Sequence, residues 1–134
     1  MTKNNYIVNA LVVALSERCP LVAFQDDIAT TYCLLYLVDW KMSLEHGRQV
    51  TALKWHRGHV GPCAQLESES KSVQKNSLDE KERAVVEHVC QTFHELDPLD
   101  FLNTVLGTYP MLMASLYQEL DLPTMAAEYK AIYP

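Results

Sequence analysis

Cys33-Leu34-Leu35-Tyr36-Leu37-Val38-Asp39-Trp40 is an apolar run broken by one acid, and it lies in a stretch without Gly or Pro from Asp26 to Gly47. Periodicity alone cannot assign it, because a continuous apolar run suits a buried strand as well as a buried helix. Its surroundings decide for helix: Asp26 and Asp27 can cap free N–H groups at a start, Gly47 supplies a stop, and the interval is too long for a strand. A helix apolar on nearly every side must run through the middle of a fold with other elements packed around it.

Beyond Gly47 the pattern changes to period two. Thr51, Leu53 and Trp55 share one side, and Val50, Ala52, Lys54 and His56 the other, as a half-buried strand requires. Gly58, Gly61 and Pro62 end that strand in a turn. From Gln65 to Asn76 the chain is rich in Glu, Ser and Lys, which suits a polar connector; Leu66 to Val73 fits a polar edge strand equally well.

Upstream, Tyr6, Ile7, Ala10, Leu11, Ala14 and Leu15 have helical spacing, with Pro20 as a stop. Downstream, Ser77-Leu78-Asp79-Glu80 reads as a capping box in which Glu80 reaches back to Ser77. The helix it starts has Leu78, Val85, Val86, Val89, Phe93 and Leu96 as its buried stripe, and Lys81, Arg83, Glu87 and Gln91 opposite. Asp97-Pro98 starts the next helix, Leu99 to Leu106, which Gly107 stops. Met111 to Leu120 follows Tyr109-Pro110 as a further helical stretch, and Asp121 with Pro123 caps a last helix through Ile132. The expected fold class is mainly α: a compact helical domain spanning 1–134, with a small β element, strand or hairpin, inserted after the second helix.

The chain has 134 residues, of which 49% are apolar and 21% charged, the composition of a folded protein with a real core. Eleven Lys and Arg against seventeen Asp and Glu leave a formal charge of −6. That field disfavours nucleic acid and acidic membrane surfaces and favours basic partners. Cys19, Cys33, Cys63 and Cys90 are widely spaced and read as reduced thiols of a cytoplasmic protein. There is no charged-then-apolar leader, and the apolar run from Tyr32 to Val38 is far short of the ~18 residues of a membrane span.

The catalytic motifs are missing: no glycine loop followed by Lys-Ser/Thr, no His-Glu-x-x-His, no Gly-x-Ser-x-Gly and no Cys-x-x-Cys. No enzyme activity and no cofactor are expected. The best metal grouping, His56, His59 and Cys63 with His46, has a permissive spacing that equally fits surface histidines at a strand end, so no metal is assigned. His88 and His94, six apart, do not share a helix face. A Cys63–His59 nucleophile pair is weighed against a thiol packed beneath the turn, which is favoured. Lys54-Trp55-His56-Arg57 mixes cations and an aromatic as a base-stacking site does, but the overall charge favours a core Trp55 with its cations in solvent. Trp40 reads as packing.

Taken in order, Leu34 to Trp40, Gly47-Arg48-Gln49-Val50, Trp55 to Pro62, Ser77-Leu78-Asp79-Glu80-Lys81-Glu82 and Thr108-Tyr109-Pro110 resemble the Panacea domain. Members of that family usually carry another helix and some strand between the Gly-Pro turn and the Ser-Leu-Asp-Glu helix. Only Cys63 to Asn76 stands there in this chain, which therefore resembles a shortened member. The resemblance implies an antitoxin module, also found in phage-associated proteins, that neutralises a partner toxin by direct complex formation. Alternatives on the same scaffold are a phage or mobile-element inhibitor of a host defence complex and an adaptor that delivers a bound partner to a protease. Because aromatic and arginine residues anchor interfaces, the expected partner-binding residues are Trp55, Arg57, His59 and Tyr109, provided they are exposed.

Overall fold

A computed structural model describes residues 28–66, 78–93 and 97–133. Within them the chain is mainly helical, with five helices and one small antiparallel sheet: α1 (Ile28–His46), β1 (Leu53–Arg57), β2 (Pro62–Leu66), α2 (Glu80–Phe93), α3 (Pro98–Leu106), α4 (Tyr109–Met113), β3 (Glu119–Leu120) and α5 (Leu122–Ile132). The expected helix over Tyr6 to Leu15 and the Asp26-Asp27 cap lie outside the described residues.

α1 is the central helix. Every side chain from Cys33 to Trp40 is buried, and α2, α3, α5 and β2 pack around it. An unbroken apolar run buries on all sides only when neighbours cover all sides, and removing side chains of this size from water contributes about 2 kcal/mol each. Gly47 terminates it with φ +73°, the left-handed conformation glycine adopts at low cost, and its N–H bonds the Ser43 carbonyl at 3.0 Å. Lys130 of α5 donates to the Leu44 carbonyl at 2.9 Å, adding a cation at the negative end of the helix.

β1 alternates as expected, with Leu53 and Trp55 inward, and Thr51 just before it is buried on the same side of the sequence pattern. Val50 is buried too, because the strand begins only at Leu53 and the preceding loop does not alternate. The β element is a hairpin joined by a third strand, in the order β2-β1-β3. Gly58 is needed at the turn: its N–H bonds the Gly61 carbonyl at 2.9 Å, and a Cβ there would stand 2.5 Å from Cys63 Sγ and 2.8 Å from that same carbonyl oxygen. Pro62 starts β2 rather than closing the β element, and the strand reaches Leu66, so the segment read as a polar connector from Gln65 begins as strand. Residues 67–76 of it lie outside the described residues.

The capping box of α2 sits two residues later than expected. Asp79 Oδ1 accepts the Glu82 N–H at 2.8 Å and Glu82 Oε1 accepts the Asp79 N–H at 2.9 Å, so Asp79 and Glu82 form a reciprocal pair at the start of the helix; Ser77 of the expected pair lies outside the described residues. Leu78, Val85, Val86, Val89 and Cys90 make its buried face. Asp97 and Asp121 cap α3 and α5 through side-chain bonds to the Asp100 and Thr124 N–H groups, each with Pro in the first turn. The stretch from Met111 to Leu120, expected as helix, is corrected: α4 stops at Met113, a tight turn follows, and Glu119–Leu120 pairs with β1 as the third strand.

Candidate protein-binding surface

Several residues of the resembling segments meet one another inside the fold. Asp39, fully buried on α1, takes the Val50 and Thr51 N–H groups on Oδ1 at 2.9 and 3.0 Å. Its Oδ2 takes the Thr51 hydroxyl at 2.5 Å and the Trp55 indole N–H at 2.9 Å. Burial pushes this carboxyl up to about 6, and the bonds from Thr51, Trp55 and Val50 hold it below where burial alone would put it. A buried carboxylate is tolerable when donors surround it, and here they fold the loop after Gly47 onto α1.

Arg48 in that loop reaches α2, donating to Glu82 Oε2 at 2.9 Å and to Asp79 Oδ2 at 3.1 Å. One cation therefore clamps both acids of the capping box, of which Glu82 is fully buried. Thr108 donates to the Val105 carbonyl at 2.7 Å, which leaves its oxygen to accept the Tyr36 phenol at 2.6 Å. Burial raises the Tyr36 phenol above the ordinary tyrosine range.

Trp55 is corrected from the partner-binding set: it is 0% exposed, edge-on to Tyr32 and Tyr36, and it is a core residue. Tyr109 is half-buried with its ring edge-on to Tyr129, which also meets Trp40 and Tyr133. Arg57 is half-buried, its guanidinium donating to the Gly58 carbonyl at 2.6 Å. His59 alone of the four is exposed, at the hairpin tip.

The structure joins Arg57 and His59 to a segment the sequence did not single out. The β1–β3 ladder continues past Glu119: the Arg57 carbonyl accepts the Tyr117 N–H at 2.6 Å, and the Arg57 N–H donates to the Gln118 carbonyl at 2.9 Å. Ser115 to Gln118 form a β-turn closed by the Gln118 N–H on the Ser115 carbonyl at 3.0 Å, with Ser115 N–H on Gln118 Oε1 at 2.9 Å. Tyr117 holds φ +68° in this turn, where glycine is the ordinary residue. Its hydroxyl meets His59 Nε2 at 2.5 Å and the two rings stand edge to face with centroids 5.3 Å apart.

Val60 next to His59, Leu116 and Tyr117 in the turn, and Leu112 and Met113 just before that turn are all exposed, between 44% and 69%. Large exposed apolar side chains in a hairpin tip, a turn and the helix end that leads into it mark an interaction surface more than a core. Nothing in the sequence announced them, because Ser115-Leu116-Tyr117-Gln118 has neither Gly nor Pro and reads as helix.

Among the described residues no three His, Cys, Asp or Glu side chains converge as metal ligands. His56 and Cys63 are cross-strand partners, His46 lies at the end of α1 beside Glu45, and His88 is exposed on α2; His94 lies outside the described residues. Cys63 is exposed, not beneath the turn, with its thiol 3.9 Å from the Gly61 carbonyl. Among the described residues no helix is long and apolar enough to cross a membrane. No protein-family model matches the chain, and no curated protein or solved structure matches it.

Proposed function

We propose that this chain is an antitoxin-like protein-binding module that neutralises a partner toxin by direct complex formation. The observation that carries the protein-binding part is the exposed edge made by His59, Val60, Leu112, Met113, Leu116 and Tyr117. It is apolar and aromatic, as interface centres are, and its Tyr117 is held by a backbone bond to Arg57 of β1. The toxin-neutralising part comes from the Panacea resemblance. The placement of the resembling residues supports a division of labour: Asp39, Arg48 and Trp55 hold the scaffold, and the edge meets the partner.

Neutralisation in this reading is steric: the bound module covers the toxin's working surface, and no bond is made or broken. The test is co-expression with the toxic product of a gene adjacent to this one. Rescue of growth together with co-purification of the two chains is expected; toxicity unrelieved, with no complex recovered, contradicts the proposal.

A further inference from the structure

We propose that the hairpin tip and the Leu116–Tyr117 turn form one docking edge, which seats Tyr117 in an apolar cleft of a protein partner whose rim is acidic. This inference rests on the protein-binding reading above and adds the chemistry of the partner to it.

Tyr117 is costly where it stands. A non-glycine residue in the left-handed region costs about 1 kcal/mol or more, and Tyr117 as a whole is 66% exposed, so core packing does not offset that cost. Glycine would fit the turn without strain. A strained, exposed aromatic side chain points to a role outside the fold.

The turn is also fixed before any partner arrives. Backbone bonds tie Tyr117 and Gln118 to Arg57, the Gln118 side chain closes on Ser115, and His59 holds the phenol. A side chain already ordered loses little entropy on binding, so a pocket that accepts the ring gains most of its burial free energy. The edge is a turn and a hairpin tip with an exposed ring between them, and a ring of this size is buried by a partner that offers a cleft.

Charge selects the rim of that cleft. Residues 56–61 and 112–118 contain no Asp or Glu, although the chain as a whole carries −6. The same two segments carry Arg57 and two histidines, His56 and His59. The carboxylate just beyond them, Glu119, is paired with Lys54 at 3.5 Å. Only one guanidinium nitrogen of Arg57 is committed, to the Gly58 carbonyl, which leaves N–H donors for a carboxylate. The whole-chain charge predicts a basic partner; the local charge of this edge predicts an acidic one, and short-range complementarity governs a docked contact because charges beyond a Debye length of about 8 Å are screened.

A random-peptide phage-display library panned on the intact chain tests this, with each enriched peptide rebound to Tyr117→Gly and Arg57→Glu proteins. The expected peptides combine aromatic or aliphatic residues with Asp or Glu and lose affinity about tenfold or more on either substitution. Tyr117→Gly should melt at or above the wild-type temperature, which separates lost recognition from lost fold. Peptides rich in Lys and Arg that bind Tyr117→Gly as well as wild type overturn the inference while leaving protein binding in place at another face. No enrichment above an unrelated acidic protein overturns the protein-binding reading and this inference with it.

Discussion

Asp39 and Trp55, sixteen residues apart, meet inside the core through a 2.9 Å hydrogen bond from the indole N–H to Oδ2. Each belongs to a different segment of the resemblance, and each is fully buried. The bond joins the central helix to the inner strand, while the other Asp39 oxygen gathers the loop between them. Two of the positions by which the chain looks familiar are therefore positions by which it stands up, and Asp39 and Trp55 are unavailable to a partner.

The buried carboxyl makes stability depend on pH in a stated direction. The folded protein holds the Asp39 proton up to about pH 6, against 3.8 for the ordinary group. Its stabilising contribution is fully present below about pH 4 and is lost as pH rises through about 6, a difference of about 3 kcal/mol from a shift of roughly two units. Denaturant unfolding from pH 4 to 7 should show wild type losing more stability over this range than Asp39→Asn, which carries no titrating group there; parallel curves would contradict the assignment.

Arg48→Ala should destabilise the domain by about 2 kcal/mol, because it leaves Glu82 buried beside Asp79 without its cation. The exposure of the Arg48 side chain keeps the cost below that of a fully buried pair. Adding Glu82→Gln to Arg48→Ala should recover part of the loss in urea unfolding, since a buried carboxylate is then replaced by a neutral amide.

Leu35 is 1% exposed at the centre of α1. Leu35→Asp places an unpaired charge in the core, at a cost of several kcal/mol against a total stability of about 5–15 kcal/mol for a domain. Cooperative unfolding should be lost, as read by circular dichroism during heating.

Much of this frame was legible because local chemistry decided it. Gly47, Asp97-Pro98 and Asp121-Pro123 mark helix ends through short-range sterics and capping, and the structure places ends there. The alternation of Thr51, Leu53 and Trp55 gave the inward face of β1. The start of α2 was less determined, because Ser77-Leu78-Asp79-Glu80-Lys81-Glu82 contains two overlapping capping patterns, Ser77 with Glu80 and Asp79 with Glu82. Arg48, more than thirty residues upstream, favours the second by clamping both of its acids. That is a tertiary contact with no local signature.

The candidate site was less legible than the fold. Arg57 and His59 were named from their residue types, but their neighbours come from a turn whose left-handed position holds tyrosine where glycine would have signalled it. β3, two residues long, exists because the Arg57 edge of β1 offers backbone partners, not because Glu119-Leu120 has a strand pattern. Trp55 and Tyr109 were chosen as aromatic residues, and aromatic residues serve cores as readily as interfaces.

Gly58→Ala should weaken the hairpin, since the added Cβ meets a backbone carbonyl at 2.8 Å as well as the Cys63 thiol. Cys63→Ala in the same chain relieves only the thiol contact, so it should restore part of the lost melting temperature and not all of it.

The most direct measurement is a double-mutant cycle between Asp39 and Trp55 by urea unfolding near neutral pH. Asp39→Asn turns an amide donor toward the indole N–H, and Trp55→Phe removes that donor, so the two losses share one bond. The frame described above predicts that the double variant is more stable than the sum of the single losses by about 1–2 kcal/mol. Losses that add to within about 0.3 kcal/mol would contradict it, and with it the claim that Asp39 and Trp55 lock the central helix to the inner strand.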